Sequence, residues 1–493
     1  MTHDDHADRL DLARRALLVG APTTALAIAL FGCSSSDAGS SPSKSASTST
    51  STTVAKGSTA DSSGAQWPFY GHDLSQTRTN VAETKITKAN VAKLSKTWGI
   101  DDVVGVTGTP SIVDGTAYFA DWQGKVWAVE AATGKQIWTA QIGGMPVGAP
   151  AVSGQRVFAS QGNTLFCLDR RSGKVTWKVT TNEHPQAQIN ASPVVVDDLV
   201  LQGTASFENM MTKDTYSFRG SIGAWDVASG KQRWNFFATE ADKAAGPGAG
   251  IWSTPAVDTK RGLLYVGTGQ GLAPPTPPLA DSMLAIDYQT GKLKWSRQFT
   301  YPDVFSNGHP GGKDADLGAS PNMWTSDGRD LVGGCDKGGT FHTMDRDTGE
   351  EVWKTQLAPG SPFGGAIGSA AFVDGSLIAS SNLGDPETNA PSNFSKVFNL
   401  DPATGKIRWA TDELDGKIFG PVSAVPGVAF VGTDKGHLLA LDVATGKTLW
   451  KGEAPDKTAC GPSIVDGRVI WGYGFILFGG PGKGGVLALE IGA

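Results

Sequence analysis

The chain has 493 residues, 39% hydrophobic and 18% charged, enough material for a large core, and its 64 glycines suit an all-β protein of tight turns better than a helical one. A net charge of −6, with no basic stripe and no interleaving of basic and aromatic residues, argues against a nucleic-acid partner. No Cys-x-x-Cys-His occurs, so the chain encodes no covalently attached haem.

Residues 1–33 read as an export segment outside the fold. Arg14-Arg15 precede an apolar run, Ala16 to Phe31, that is too short for a comfortable membrane span and ends at Gly32-Cys33. The arginine pair resembles a twin-arginine export signal, and Leu30-Phe31-Gly32-Cys33 resembles a lipoprotein cleavage box with Cys33 as the lipidated residue. Ala13, Val19 and Phe31 depart from those patterns. Residues 34–65, rich in Ser and Thr, cannot form a core and read as a tether. The expectation is a protein exported folded and held by lipid at the outer face of a membrane. The remaining cysteines, Cys167, Cys335 and Cys460, are odd in number and widely spaced, which suits small buried residues and not a disulfide framework.

The folded part is expected over 66–493. Ile86 to Leu94 reads as a short helix leading into a strand from Leu94 to Gly99. From there one phrase is written seven times: an apolar pair, Asp (once Glu), two residues, Thr or Ser, Gly, Lys or Glu, two residues, Trp. Its clearest copy is Ala440-Leu441-Asp442-Val443-Ala444-Thr445-Gly446-Lys447-Thr448-Leu449-Trp450. The tryptophans are Trp138, Trp177, Trp234, Trp295, Trp353, Trp409 and Trp450. Each copy reads as the two outer strands of a small antiparallel sheet. Asp opens the turn, Gly takes its positive-φ position, and Trp offers an apolar plate to the neighbouring unit. One copy cannot bury that plate alone, so copies must stack radially as a β-propeller.

Between phrases lie inner hairpins turning on Asp-Gly, such as Thr109 to Phe119 and Cys460 to Trp471. The strand around Trp98 has no phrase before it, and Gly485 to Glu490 is a phrase with no Trp after it. The N-terminal strand therefore completes the last blade, which makes an eight-bladed β-propeller without a free sheet edge. The tryptophans are about 40 residues apart at both ends of the array and about 60 in the middle. The middle blades carry the insertions on which binding sites are usually built.

These residues resemble the PQQ-dependent (pyrroloquinoline quinone) alcohol dehydrogenases, and within them the polyvinyl-alcohol dehydrogenase branch. The resemblance rests on the repeat phrase, on Trp67-Pro68-x-Tyr70-Gly71-His72-Asp73 with Thr77-Arg78, on Phe218-Arg219-Gly220-Ser221, on Ile251-Trp252-Ser253-Thr254-Pro255, on Tyr265 to Gly269, and on Asp316-Leu317-Gly318-Ala319-Ser320-Pro321. It implies PQQ lying flat on Trp252, Ca²⁺ bound by Glu208 and Gln270, and Lys337 reaching the quinone oxygens. Gln270 stands where the family has Asn. In Thr300-Tyr301-Pro302-Asp303-Val304-Phe305-Ser306-Asn307, Ser306 stands at the position of the catalytic Asp, which makes Asp303 the candidate base and Asn307 a residue to orient substrate or complete the metal shell. Tyr216-Ser217 occupies the place of the family's vicinal cysteines. The implied activity is oxidation of a small-molecule or polymeric alcohol by hydride transfer, with electrons leaving to an external acceptor such as a cytochrome. The alternative is a lipid-tethered propeller that kept the scaffold without the chemistry and binds a partner protein or envelope ligand.

Overall fold

The repeat phrase folds as a hairpin in which a single turn does two jobs. In the copy nearest the C-terminus, the strands His437–Asp442 and Thr448–Glu453 pair antiparallel, with Ala440 opposite Trp450. The Asp442 carbonyl accepts the amides of Thr445 and Gly446, and its carboxylate accepts that of Ala444. Gly446 takes φ 72°, which a residue with Cβ resists. The same glycine also lies against the previous blade: a Cβ on it would stand 2.6 Å from Cε3 of Trp409. Trp409 in turn donates its indole N–H to the Val443 carbonyl at 2.9 Å. The phrase thus needs glycine both for its backbone angle and for the flat surface it gives the neighbouring tryptophan.

This docking recurs around the molecule. The computed structural model describes residues 66–144, 147–240, 246–361, 364–385, 390–475 and 483–492, and these form one compact unit. Trp138, Trp177, Trp234, Trp295, Trp353 and Trp450 each donate their indole N–H to a backbone carbonyl of the next blade: Arg170, Val227, Tyr288, Arg346, Pro402 and Leu94. Eight antiparallel sheets result among the described residues, within 111–141, 151–180, 187–237, 256–298, 322–356, 371–415, 423–453 and 463–491. They are blades 1 to 8. The outer strand of blade 8 is Leu94–Val103, paired with Gly484–Ile491, so the N-terminal strand closes the ring. Its Trp98 donates to Ala131 in blade 1, completing the circle of docked tryptophans. The short helix expected over 86–94 is a single 3-10 turn, Val91–Lys93. Hydrogen bonds of Asn90 to the backbone of Lys85 and Thr87 shape the stretch before it as a loop.

The three cysteines described are free and buried. The export segment, Cys33 and the Ser/Thr-rich tether lie outside the described residues.

Antiparallel order puts the link between second and third strands of a blade, and the link from one blade to the next, at the same face. The Asp-Gly and Asp…Thr-Gly turns lie at the other. Five connections of blades 3 to 5 therefore share a face: residues 207–220, 238–255, 268–281, 299–321 and 336–339. Glu208, Trp252, Gln270, Asp303, Ser306, Asn307 and Lys337, singled out from the sequence, fall on these connections.

Candidate active site

Trp252 leads into blade 4 and is half-buried. It is seated on glycine: a Cβ at Gly318 would overlap Cη2 and Cζ2 of the indole, and one at Gly269 would lie 3.2 Å from its Nε1. Lys337, on the turn between the second and third strands of blade 5, holds its Nζ 5.7 Å from the centroid of the Trp252 ring. That ammonium is largely buried between two aspartates, 2.6 Å from Asp316 and 3.1 Å from both oxygens of Asp314. Burial alone would lower its pKa, but Asp314 and Asp316 outweigh burial and hold it above the ordinary lysine value. Asp316 also accepts the backbone amide of Gln270 at 2.5 Å. Trp252, Lys337, Gln270, Asp314 and Asp316 therefore form one cluster.

Asp303 lies beside this cluster in a structural role. Its carboxylate, fully buried, accepts the amides of Lys313 (3.0 Å), Asp314 (3.1 Å) and Ala315 (2.7 Å). It thereby fixes the turn in which Asp314 adopts φ 54°. Asp281, 1% exposed, receives no donor on either oxygen. Burial first, then the charges of Asp316, Asp303 and Asp314, push its carboxyl well above the ordinary range. Burial and those charges favour its neutral form, which could donate a hydrogen bond to Asp303.

Glu208 stands in a separate group. Its buried carboxylate accepts Lys213 Nζ at 2.5 Å on Oε1 and the amides of Ser217 (3.1 Å) and Phe218 (2.8 Å) on Oε2. His184 lies 3.8 Å away and shares its Nε2 contact with Ser217 Oγ. Burial raises the Glu208 pKa, yet Lys213 and the two amides outweigh it and hold the carboxylate below its usual range. The Gln270 side chain donates to the Phe305 carbonyl at 3.2 Å. A calcium ion at Glu208 would have to displace the Lys213 ammonium. The donor set as it stands does not fit the ion. Ser306 is buried and donates its hydroxyl to the Leu272 carbonyl at 2.9 Å. Asn307 binds the backbone of Asn209 and Met210. Tyr216 bridges the Met211 carbonyl and the Gly308 amide.

The sequence reading passed over Asp314, Asp281 and Lys213. The signal for the first was the Asp314-x-Asp316 pair directly ahead of Leu317-Gly318, with a lysine to match it at 337. A flat, anionic, aromatic cofactor fits the Trp252 cluster: a half-buried tryptophan seated on Gly318 for its plane and an ammonium over that ring for its oxygens.

Comparison with known proteins points the same way. A family model named PQQ_2, described as outer membrane protein assembly factor BamB, matches residues 80–355 and 337–492. A polyvinylalcohol dehydrogenase of Pseudomonas sp. is 29% identical over 84% of this chain and 72% of its own length. A quinohemoprotein alcohol dehydrogenase of Comamonas testosteroni is 25% identical over 82% of this chain and 72% of its own. The crystal structure of quinohemoprotein alcohol dehydrogenase from Comamonas testosteroni shares the fold, with TM-score 0.73 and 22% identity, over 87% of this chain and 81% of that one. From its repeats and from these alignments across most of the propeller, the chain belongs to the PQQ-dependent alcohol dehydrogenase-like family.

Proposed function

We propose that the protein is a quinoprotein that oxidises an alcohol at the Trp252–Lys337 cluster. The observation that carries the reading is a tryptophan plate seated on Gly318 with a lysine ammonium over it, in a chain whose relatives are alcohol dehydrogenases. PQQ, when bound, supplies the two-electron acceptor for the hydride of the alcohol carbon. Trp252 would hold the plane of the cofactor by stacking, and Lys337, kept charged by Asp314 and Asp316, would attract its oxygens. Asp303 would keep the 313–315 turn in place beneath that lysine. No step is assigned to calcium, because the Lys213 ammonium already neutralises Glu208. The substrate class is a primary or secondary alcohol, small or polymeric, and a separate redox protein such as a cytochrome would take the electrons. Export by the twin-arginine route and anchoring through lipid on Cys33 complete the proposal.

The test is titration of the exported protein with PQQ, following tryptophan fluorescence, then dye reduction with a panel of alcohols. Quenching and turnover are expected in the wild type. Both should be lost in Gly318→Ala, whose methyl would push into the Trp252 ring, and both should survive treatment with a chelator. A second reading has its own observation. Ser306 bonded to Leu272 and Glu208 locked to Lys213 suit a propeller that kept the scaffold and binds a protein or envelope ligand. Absence of quenching with and without added calcium would select it.

A further inference from the structure

We propose that Asp314 is the group that accepts the hydroxyl proton of the alcohol, an inference that rests on the quinoprotein reading above. Four carboxylates surround the inner side of the cluster, and three are committed elsewhere. Asp303 holds three backbone amides. Asp316 is occupied on one oxygen by the Gln270 amide and on the other by Lys337. Asp281 lacks a donor altogether, and burial beside the other three carboxylates favours its neutral form. Asp314 has both oxygens 3.1 Å from Lys337 Nζ, the ammonium that stands over Trp252. A single ammonium leaves lone pairs free on each oxygen to receive a proton.

The electrostatics suit that role. Burial, together with the neighbouring Asp316 and Asp303, pushes the Asp314 carboxyl up to about 7 against the opposing pull of Lys337, and Asp281 faces the same group. A base whose pKa lies near the working pH combines a populated carboxylate with a real affinity for the proton. In the reaction, the O–H bond of the alcohol breaks and its proton passes to an Asp314 oxygen. PQQ, when bound, would supply the two-electron acceptor for the hydride released from the C–H bond, and the alcohol would leave as an aldehyde or ketone. Lys337 stays protonated throughout; it faces the Asp314 carboxylate before the transfer and keeps its contact with Asp316 after it. The backbone also holds this residue in place, since the amide bonds to Asp303 keep Asp314 at φ 54°, a conformation that few side chains other than Asp and Asn adopt.

The experiment compares wild type, Asp314→Asn and Asp316→Asn, each loaded with PQQ. Asp314→Asn should quench with PQQ as the wild type does, within about threefold in Kd, while kcat falls by about 10²-fold or more. The wild-type kcat/KM should rise with pH through an apparent pKa near 7, and that limb should vanish in the variant. Independently of turnover, the infrared difference spectrum of the cofactor-free protein between pH 5.5 and 8.5 should show a protonated-carboxyl band that Asp314→Asn removes. A variant with near wild-type kcat and an unchanged pH profile would overturn the assignment. So would loss of PQQ binding in Asp314→Asn but not in Asp316→Asn, which would make Asp314 a support for Lys337 only. Failure of the wild type to bind PQQ sinks the quinoprotein reading and this proposal with it, and is read in a different measurement.

Discussion

At the scale of single residues, Asp281 is the side chain whose chemistry is furthest out of balance. Its carboxyl is buried, lacks a donor and faces three other aspartates, so the folded protein prefers it neutral. Its folded pKa lies above its unfolded one. The stability tied to it is therefore fully present below the unfolded value and is lost as pH rises through the folded value. Asparagine has nearly the same shape, stays neutral, and can donate to Asp303 as the protonated acid does. Asp281→Asn is expected to match the wild type near pH 4 and to be more stable by about 1–3 kcal/mol at pH 9, read from urea midpoints across that range. Equal midpoints at alkaline pH would mean that the carboxylate is accommodated after all. Such positions were hidden in the sequence because their meaning depends on which groups the folded loops bring to them. Asp303 and Ser306 looked like alternatives for one catalytic place, yet one binds three amides and the other a single carbonyl. Glu208 matched a metal ligand by motif, and only the fold brings Lys213 onto it, through the 3-10 turn Glu208–Met210 and the loop behind it. Trp252 and Lys337 were singled out by the resemblance and not by any local pattern, and the fold sets the Lys337 ammonium 5.7 Å from the Trp252 ring centroid.

At the scale of the element, the repeat hairpin was legible almost completely, since its turn, its glycine and its tryptophan lie within eleven residues and need no distant information. Trp353 shows what the hairpin contributes. It is 8% exposed, stacks on Phe341 at 5.4 Å, contacts Trp324 at 6.3 Å and donates to the Pro402 carbonyl. On its far side Gly405 of blade 6 presses on the ring, with a Cβ position 2.7 Å from Cδ2. Trp353→Ala opens a cavity between blades 5 and 6 and is expected to cost about 3–5 kcal/mol. Chemical denaturation is the measurement, and the affinity for PQQ of the folded fraction should be unchanged, because this seam lies at the outer strands and the Trp252 cluster at one face. The misread element was the one without a repeat: 86–94 has helical composition, but the polar bonds of Asn90 and the start of the strand at Leu94 leave room for one 3-10 turn only.

At the scale of the whole molecule, the strand Leu94–Val103 closes the ring, and the stretch before it ties the ring together from within. Residues 67–80 run across the innermost strands, exchanging backbone bonds with Ile112, Val152, Val257, Met323, Phe372 and Ala424, while the Asn80 side chain reaches Ile464. Seven of the eight blades are touched by one short segment. The sequence displayed this segment as a motif without revealing its path, since every partner is far away in the chain. Its anchor is Arg78, a fully buried guanidinium that donates to the carbonyls of Tyr70 and Val422 and to the hydroxyls of Thr109 and Ser423. Burial pulls its pKa down to about 10, against the influence of Tyr70 and Cys460, so it remains charged under ordinary conditions. Arg78→Ala would remove a donor from four acceptors, three of them buried, and the plate that lies 5.2 Å from the Trp67 ring. The expected loss is about 3–5 kcal/mol, and Arg78→Lys should recover little of it, because a single ammonium cannot reach four acceptors arranged for a planar fork. If the segment acts as a tie across blades, both variants should also expose the inner strands of blades 1, 7 and 8 to hydrogen exchange together. Full rescue by lysine would show instead that charge alone, and not the geometry of the fork, holds the centre of the ring.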